Sequence, residues 1–403
     1  MTTRLDDIQA REARHVLQTY KRQPVAFVRG NGPRLYDVDG REYLDLVSGI
    51  GVASLGHAHP GLAAAIAEQA ATLLHTSNLY YHPFQADAAE RLSALSGLPR
   101  VFFCNSGTEA VEACLKFARR YWFTRGTPRA EFVAVSNGFS GRTMGALSVT
   151  HDAHYREPFA PLLGPTTFVD FDKPEMLAQA VTDRTAAIVA EPIQGEGGVN
   201  PMPPAFVEAL KAACARTGAL YIADEVQSGL GRTGYGFHFQ ALGLSPDLVS
   251  VGKALGGGVP VGATLVSERV AATISAGDHG TTYGGNLLAT RAAGFFLEQL
   301  TDKGLLDHIR QTGAHFERRL RTLALQHPAI VEVRGAGLMW GLQLAVDALP
   351  IIEGARQRGL LVNRTRETVV RMLPPLTIEA ADLDRAVDIL DEVFASVASA
   401  VHA

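Results

Sequence analysis

Asp224 ends the apolar run Ala219-Leu220-Tyr221-Ile222-Ala223, and Glu225-Val226-Gln227 follow it. Lys253 lies 29 residues further on, after Asp247-Leu248-Val249-Ser250-Val251-Gly252. Each run is short, apolar and closed by a polar group, the pattern of a buried parallel strand that delivers a side chain to the edge of its sheet. A carboxylate and an amine so delivered predict a site at the carboxyl edge.

Two chemistries use such a pair. An apolar strand ending in Asp-Glu resembles the acidic strand of a nucleotide hydrolase, which also needs G-x-x-x-x-G-K-[ST]. Around Lys253 that form fails at Asp247 and at Ala254. The other chemistry is that of pyridoxal phosphate (PLP), whose aldehyde takes a lysine as a Schiff base and whose ring nitrogen needs an acidic partner. Of six lysines (21, 116, 173, 211, 253 and 303), only Lys253 follows an apolar strand and precedes a glycine run, Gly256-Gly257-Gly258.

The positioning elements read as follows. Residues 4–20 form a polar helix or arm. Residues 25–47 alternate apolar and polar, with Asn31-Gly32 and Asp39-Gly40 as hairpin turns. Residues 48–57 form a glycine-rich apolar loop, and helical periodicity starts near Pro60 and Pro83. Phe102-Phe103-Cys104 closes a strand, and Ser106 with Glu109 fits a capping box. That helix start offers free N–H groups, two hydroxyls and a glycine, as a phosphate monoester requires; an ordinary well-capped helix fits equally. Strands are expected at 131–136, 185–190, 219–224, 248–251 and 261–266, with helices near 174–181 and 204–217. This predicts an α/β fold with a mostly parallel central sheet covered by helices. Helices return near 286–325 and 379–399, around a strand–turn region at 331–344. The expected organisation is a large domain over 61–294 and a smaller α+β domain built from 1–60 and 295–403.

The chain has 403 residues, 47% hydrophobic and 19% charged, with a net charge of −4. That suits a packed globular protein and gives nucleic acid no electrostatic foothold. Cys104, Cys114 and Cys214 lack disulfide or metal spacing. No long apolar run predicts a membrane span, so a cytoplasmic protein is expected.

Six separated motifs then stand in order: Asn105-Ser106-Gly107-Thr108-Glu109-Ala110; Phe139 with Gly141-Arg142-Thr143; Glu191-Pro192 with Gly195-Glu196; Asp224-Glu225-Val226-Gln227; Lys253; and His279-Gly280-Thr281-Thr282-Tyr283-Gly284-Gly285-Asn286. In these the sequence resembles the class III (ornithine/acetylornithine-type) PLP-dependent aminotransferases of fold type I, over nearly its whole length. The resemblance implies that Lys253 binds PLP and moves the proton, and that Asp224 pairs with the ring nitrogen. It places Val226 and Phe139 on the two ring faces, Gln227 on the phenolic oxygen, Glu191 behind the cofactor, and Ser106, Gly107 and Thr108 around the phosphate. Thr282 would reach the neighbouring subunit's phosphate, which implies a homodimer with composite sites. Arg142 would hold the substrate carboxylate far from the reacting amine, Arg371 the α-carboxylate of 2-oxoglutarate, and Glu196 would pair with Arg371 while an ω-amino donor is bound. Tyr20 and Ile50 fall at the donor end, and an aliphatic residue at 50 favours an acylated ornithine. The expected reaction moves the δ-amino group of N-acetylornithine to 2-oxoglutarate, as in arginine biosynthesis. Succinylornithine, acyl- or carrier-linked lysine, ornithine and 4-aminobutyrate are alternative donors.

Overall fold

The computed structural model describes residues 4–401. Its largest sheet contains β1 (Arg100–Cys104), β2 (Glu131–Val135), β3 (Thr166–Val169), β4 (Thr185–Ala190), β5 (Leu220–Asp224), β6 (Leu248–Val251) and β7 (Gly262–Val266). The order across the sheet is β1-β7-β6-β5-β4-β2-β3. Neighbours from β6 to β3 run parallel, and β7 is antiparallel to both β6 and β1.

The sheet is buried on both faces, as its apolar strands require. Every residue of β4, β5 and β6 is buried. Successive side chains serve opposite cores. Leu220 and Ile222 pack with Val111, Ala118 and Phe132 on one side. Tyr221 and Ala223 pack with Val133, Ile188 and Val249 on the other. Asp224 is the last residue of a strand whose preceding side chains are locked in these cores, so its carboxylate has a fixed origin.

Two four-stranded sheets and a two-stranded one, Ile193–Gln194 with Asn200–Pro201, accompany this sheet among the described residues. The strands Phe27–Asn31, Arg34–Asp37 and Glu42–Asp45 form an antiparallel meander, and Leu360–Leu361 pairs with Glu42–Asp45 in parallel. Ile330–Ala336, Met339–Leu344, Val369–Met372 and Asn363–Thr365 form an antiparallel sheet in that order. It carries Arg371.

The expected strands at 131–136, 185–190, 219–224, 248–251 and 261–266 agree with β2, β4, β5, β6 and β7 to within a residue. β3 was not anticipated. It is an edge strand that opens with Thr166-Thr167 after Gly164-Pro165, so it lacks an apolar run. The N-terminal helix covers only Leu5–His15, and no residue of it is buried. The glycine-rich loop contains one turn, Ser48–Gly51, in which Ser48, Gly49, Ile50 and Gly51 all have positive φ. Among the described residues, no helix is long and apolar enough to cross a membrane.

Candidate active site

The carboxyl ends of β4, β5 and β6 bring Glu191, Asp224 and Lys253 together. Asp224 Oδ1 accepts the Val226 N–H at 3.2 Å and the Ser250 hydroxyl at 3.0 Å. Burial raises its carboxyl above the usual range, against the pull of the Val226 N–H and the Lys253 charge. Glu191 is raised as well, by burial and then by the nearby Asp224 charge. Its two oxygens accept the N–H groups of Phe139 and Gly195, each at 2.9 Å. It therefore ties the Phe139 and Gly195 loops together.

Burial lowers the Lys253 amine, although the carboxylates of Glu196 and Asp224 oppose this. Among the described residues its Nζ makes no hydrogen bond. A desolvated amine of lowered pKa is the form that attacks carbonyl carbon. Lys253 also has φ 36, a left-handed backbone that ordinary residues rarely hold and that collects at functional sites.

Helix α1 (Gly107–Thr124) points its N-terminus at this region. Ser106 Oγ accepts the Glu109 N–H at 3.3 Å. Glu109 Oε2 accepts the N–H of Asn105, at 2.6 Å, rather than that of Ser106 as a capping box has it. Gly107 permits a close approach: a Cβ there would lie 2.6 Å from Val226 Cγ1, and one on Gly252 would lie 3.0 Å from Gly107 Cα. The helix start, the loop after β5 and the lysine segment thus meet with no room for a side chain.

Arg371 is completely buried. Its Nη1 donates to Glu196 Oε1 at 2.6 Å and to Gln227 Oε1 at 3.1 Å, and its Nε to Asn363 Oδ1 at 3.2 Å. Its Nη2 is buried without a partner. Burial pushes Glu196 up, but the Arg371 cation outweighs this and holds it below the usual carboxylate range.

Arg142 lies with its guanidinium carbon 3.5 Å from the Tyr155 ring centroid and 5.5 Å from that of Phe139. Thr108 Oγ1 lies 2.9 Å from Thr143 Oγ1. Ile50 is 40% exposed beside Gly51, in a turn tied to the Arg371 segment by the Ser48 hydroxyl on Leu373 O at 2.6 Å. Tyr20 and Thr282 are exposed, and among the described residues neither forms a hydrogen bond or ion pair with the cluster. Sequence reasoning passed over Ser250 and Asn363. Ser250 had a signal, a hydroxyl inside a strand otherwise buried and apolar. Asn363 had none.

A buried carboxylate, a buried free amine, a glycine-lined helix start and an unpartnered guanidinium nitrogen fit PLP and a substrate carboxylate. Fold and site define a PLP-dependent transferase of fold type I. The aminotransferase class-III family model matches residues 16–394, and the chain belongs to that family. It is 45% identical to the acetylornithine aminotransferase of Archaeoglobus fulgidus, over 94% of this chain and 98% of that protein. It is 44% identical to the acetylornithine aminotransferase of Methanocaldococcus jannaschii, over 96% of this chain and 97% of that protein. The ornithine aminotransferase of Toxoplasma gondii superposes with a TM-score of 0.94 at 32% identity, over 98% of this chain and 96% of that one. A PLP-bound amine transaminase from an uncultivated Pseudomonas species superposes with a TM-score of 0.86 at 31% identity, over 94% and 97% of the two chains. The protein is a PLP-dependent aminotransferase.

Proposed function

We propose that this enzyme moves the δ-amino group of N-acetylornithine to 2-oxoglutarate, releasing N-acetylglutamate semialdehyde and then glutamate. PLP, when bound, supplies an electron sink through which an amino group and a proton change carbon. Lys253 holds the cofactor and shuttles the proton at its Nζ. Asp224, oriented by Ser250 and the Val226 N–H, keeps the ring nitrogen charged. Val226 and Phe139 flank the ring, Glu191 fixes the Phe139 loop from behind, and Gln227 faces the phenolic oxygen. Ser106, Gly107 and Thr108 receive the phosphate.

The observation that carries the substrate reading is the ion pair of Arg371 with Glu196 at 2.6 Å. Closed, it covers Arg371 while a donor with no α-carboxylate near its reacting carbon occupies the site. Opened, it frees a bidentate partner for the α-carboxylate of 2-oxoglutarate. Arg142 receives the far carboxylate of either substrate, and Ile50 and Tyr20 lie at the donor end. The names of the 45% and 44% identical relatives support the acetylated donor.

The same reading makes the enzyme a homodimer in which Thr282 reaches the partner's phosphate. Leu79, Tyr80, Tyr81 and Tyr283 are large, apolar and exposed. Asn78 Nδ2 donates to Gly284 O at 2.9 Å, which ties the first three to the Thr282 segment. We also group residues 1–60 with 295–403 as one smaller domain, supported by the pairing of Leu360–Leu361 with Glu42–Asp45.

The test is the visible spectrum of the holoenzyme as N-acetylornithine alone is added, with ornithine and 4-aminobutyrate as comparison donors. Loss of the lysine-bound cofactor's absorption with N-acetylornithine, restored by 2-oxoglutarate, is the expected result. A better response to another donor overturns the substrate.

A further inference from the structure

Arg142 forms no ion pair among the described residues, and its guanidinium lies over Tyr155. Its backbone, by contrast, is held on one side by a ladder from α1. The Thr143 N–H donates to Thr108 Oγ1 at 3.3 Å. One turn further along the same face, Glu112 Oε1 accepts the N–H groups of Gly145 and Ala146 at 2.8 and 3.2 Å. The contact is direct. A Cβ on Gly141, which has φ 135, would lie 2.7 Å from Thr108 Cβ, and one on Gly145 would lie 2.8 Å from Glu112 Cδ. Glu112 forms no ion pair among the described residues. An acidic side chain inside a helix is here committed to two backbone N–H groups of the segment that follows Arg142.

We propose that Glu112 is a positioning residue for the far-carboxylate site, setting where Arg142 stands relative to the phosphate end of the same helix. The proposal rests on the reading of Arg142 given above. Thr108 and Glu112 are successive rungs, so the segment that follows Arg142 is held in register with the helix whose start receives the phosphate. A substrate whose far carboxylate falls where that register puts the guanidinium is selected through Arg142. A substrate without that carboxylate does not sense Glu112.

The bland alternative is that Glu112 merely caps the short helix Met144–Ser148 and matters for folding alone. The two differ in a ratio, the kcat/KM for N-acetylornithine over that for N-acetyl-1,4-diaminobutane, the same molecule without its carboxylate. In Glu112→Ala holoenzyme we expect the ratio to fall about tenfold, carried by the KM for N-acetylornithine, because a guanidinium displaced by a fraction of an ångström loses its bidentate geometry. Glu112→Gln keeps the accepting oxygen and should retain the ratio. Glu112→Asp, one methylene short, should give a smaller loss and guards against an alanine variant that does not fold. In an Arg142→Ala background the alanine change should lower the ratio no further.

Equal loss with both donors in Glu112→Ala, or a further fall of the ratio in the Arg142→Ala background, overturns the proposal. An unchanged ratio in Arg142→Ala alone sinks the underlying reading of Arg142 and the proposal with it. That result is distinct from the one in which Arg142 matters and Glu112 does not.

Discussion

Arg371 donates to Glu196 at 2.6 Å from a fully buried position, while its second terminal nitrogen has no partner. Gln227 and Asn363 hold the rest of the guanidinium. The cation is thus half committed to a carboxylate that, in the proposed cycle, an incoming one replaces. Removing the charge of Glu196 should leave Arg371 open to α-carboxylates throughout the cycle. Glu196→Gln is expected to lower kcat/KM for the ω-amino donor relative to glutamate by roughly tenfold or more, the scale of a charge-assisted hydrogen bond. Half-reactions with each amine followed separately give that ratio. An unchanged ratio would remove the switch from the mechanism.

Lys253 is the one group the chemistry cannot replace. Lys253→Ala should abolish multiple turnover and leave cofactor held only by its phosphate and ring contacts. Borohydride should then fail to fix cofactor to the chain, which mass spectrometry of the treated protein reads directly. Retained turnover would sink the role of this lysine.

Gly107 meets Val226 so closely that a Cβ would lie 2.6 Å from Cγ1. In the proposed site, Gly107→Ala must push Val226 toward the ring position or lift the helix start off the phosphate position. Overpacking of this kind costs about 1–3 kcal/mol. The dissociation constant for PLP, measured by titrating cofactor-free protein, should rise roughly tenfold or more on that scale. Unaltered cofactor affinity would mean that the cradle is looser than the geometry states.

The chemistry was legible in the sequence because each reactive side chain closes or follows a strand whose apolar pattern is plain, as with Asp224 after Leu220–Ala223. Ser106 and Glu109 were legible as a helix start, but the bond to Asn105 depends on how the chain enters the helix. The edge strand Thr166–Val169 was hidden because it is half polar and pairs along one edge only. Asn363 and Glu112 left no pattern at all. They act by meeting residues 8 and about 33 positions away, Arg371 and Gly145, and only the folded arrangement creates those pairs.

Glu225, next to the reactive carboxylate, supplies a pH signature. Burial raises its pKa to about 7 from 4.5, against the Ser228 hydroxyl and the Phe239 N–H, each 2.7 Å away. A raised folded-state pKa means that the folded protein binds the proton more tightly than the unfolded chain. The resulting stability is complete below about pH 4.5 and is lost as pH rises through about 7. Glu225→Gln removes this dependence. The stability of wild type minus variant should therefore fall by on the order of 3 kcal/mol between pH 4.5 and 8. Urea unfolding of cofactor-free proteins at several pH values measures it. A difference that stays flat across that window would show that Glu225 is ionised in the fold.

Ile50 holds φ 63 and ψ 49, a left-handed backbone that a β-branched side chain adopts only under constraint. The constraint is visible. Asp45 Oδ1 accepts the N–H groups of Val47 and Ser48 at 2.8 and 2.9 Å, its Oδ2 lies 2.8 Å from His57 Nε2, and Ser48 bonds Leu373 O. The turn is fixed from both sides, and the isoleucine conforms to it. Asparagine tolerates this conformation far better, so Ile50→Asn should raise stability by about 1 kcal/mol. It should also replace an aliphatic surface at the proposed donor end with an amide, and so narrow the preference for an acylated donor over free ornithine. Greater stability with weaker selection is the expected pair of results, from urea midpoints and from kcat/KM for the two donors. A variant less stable than wild type would show that the side chain of Ile50 stabilises the turn by more than its backbone costs.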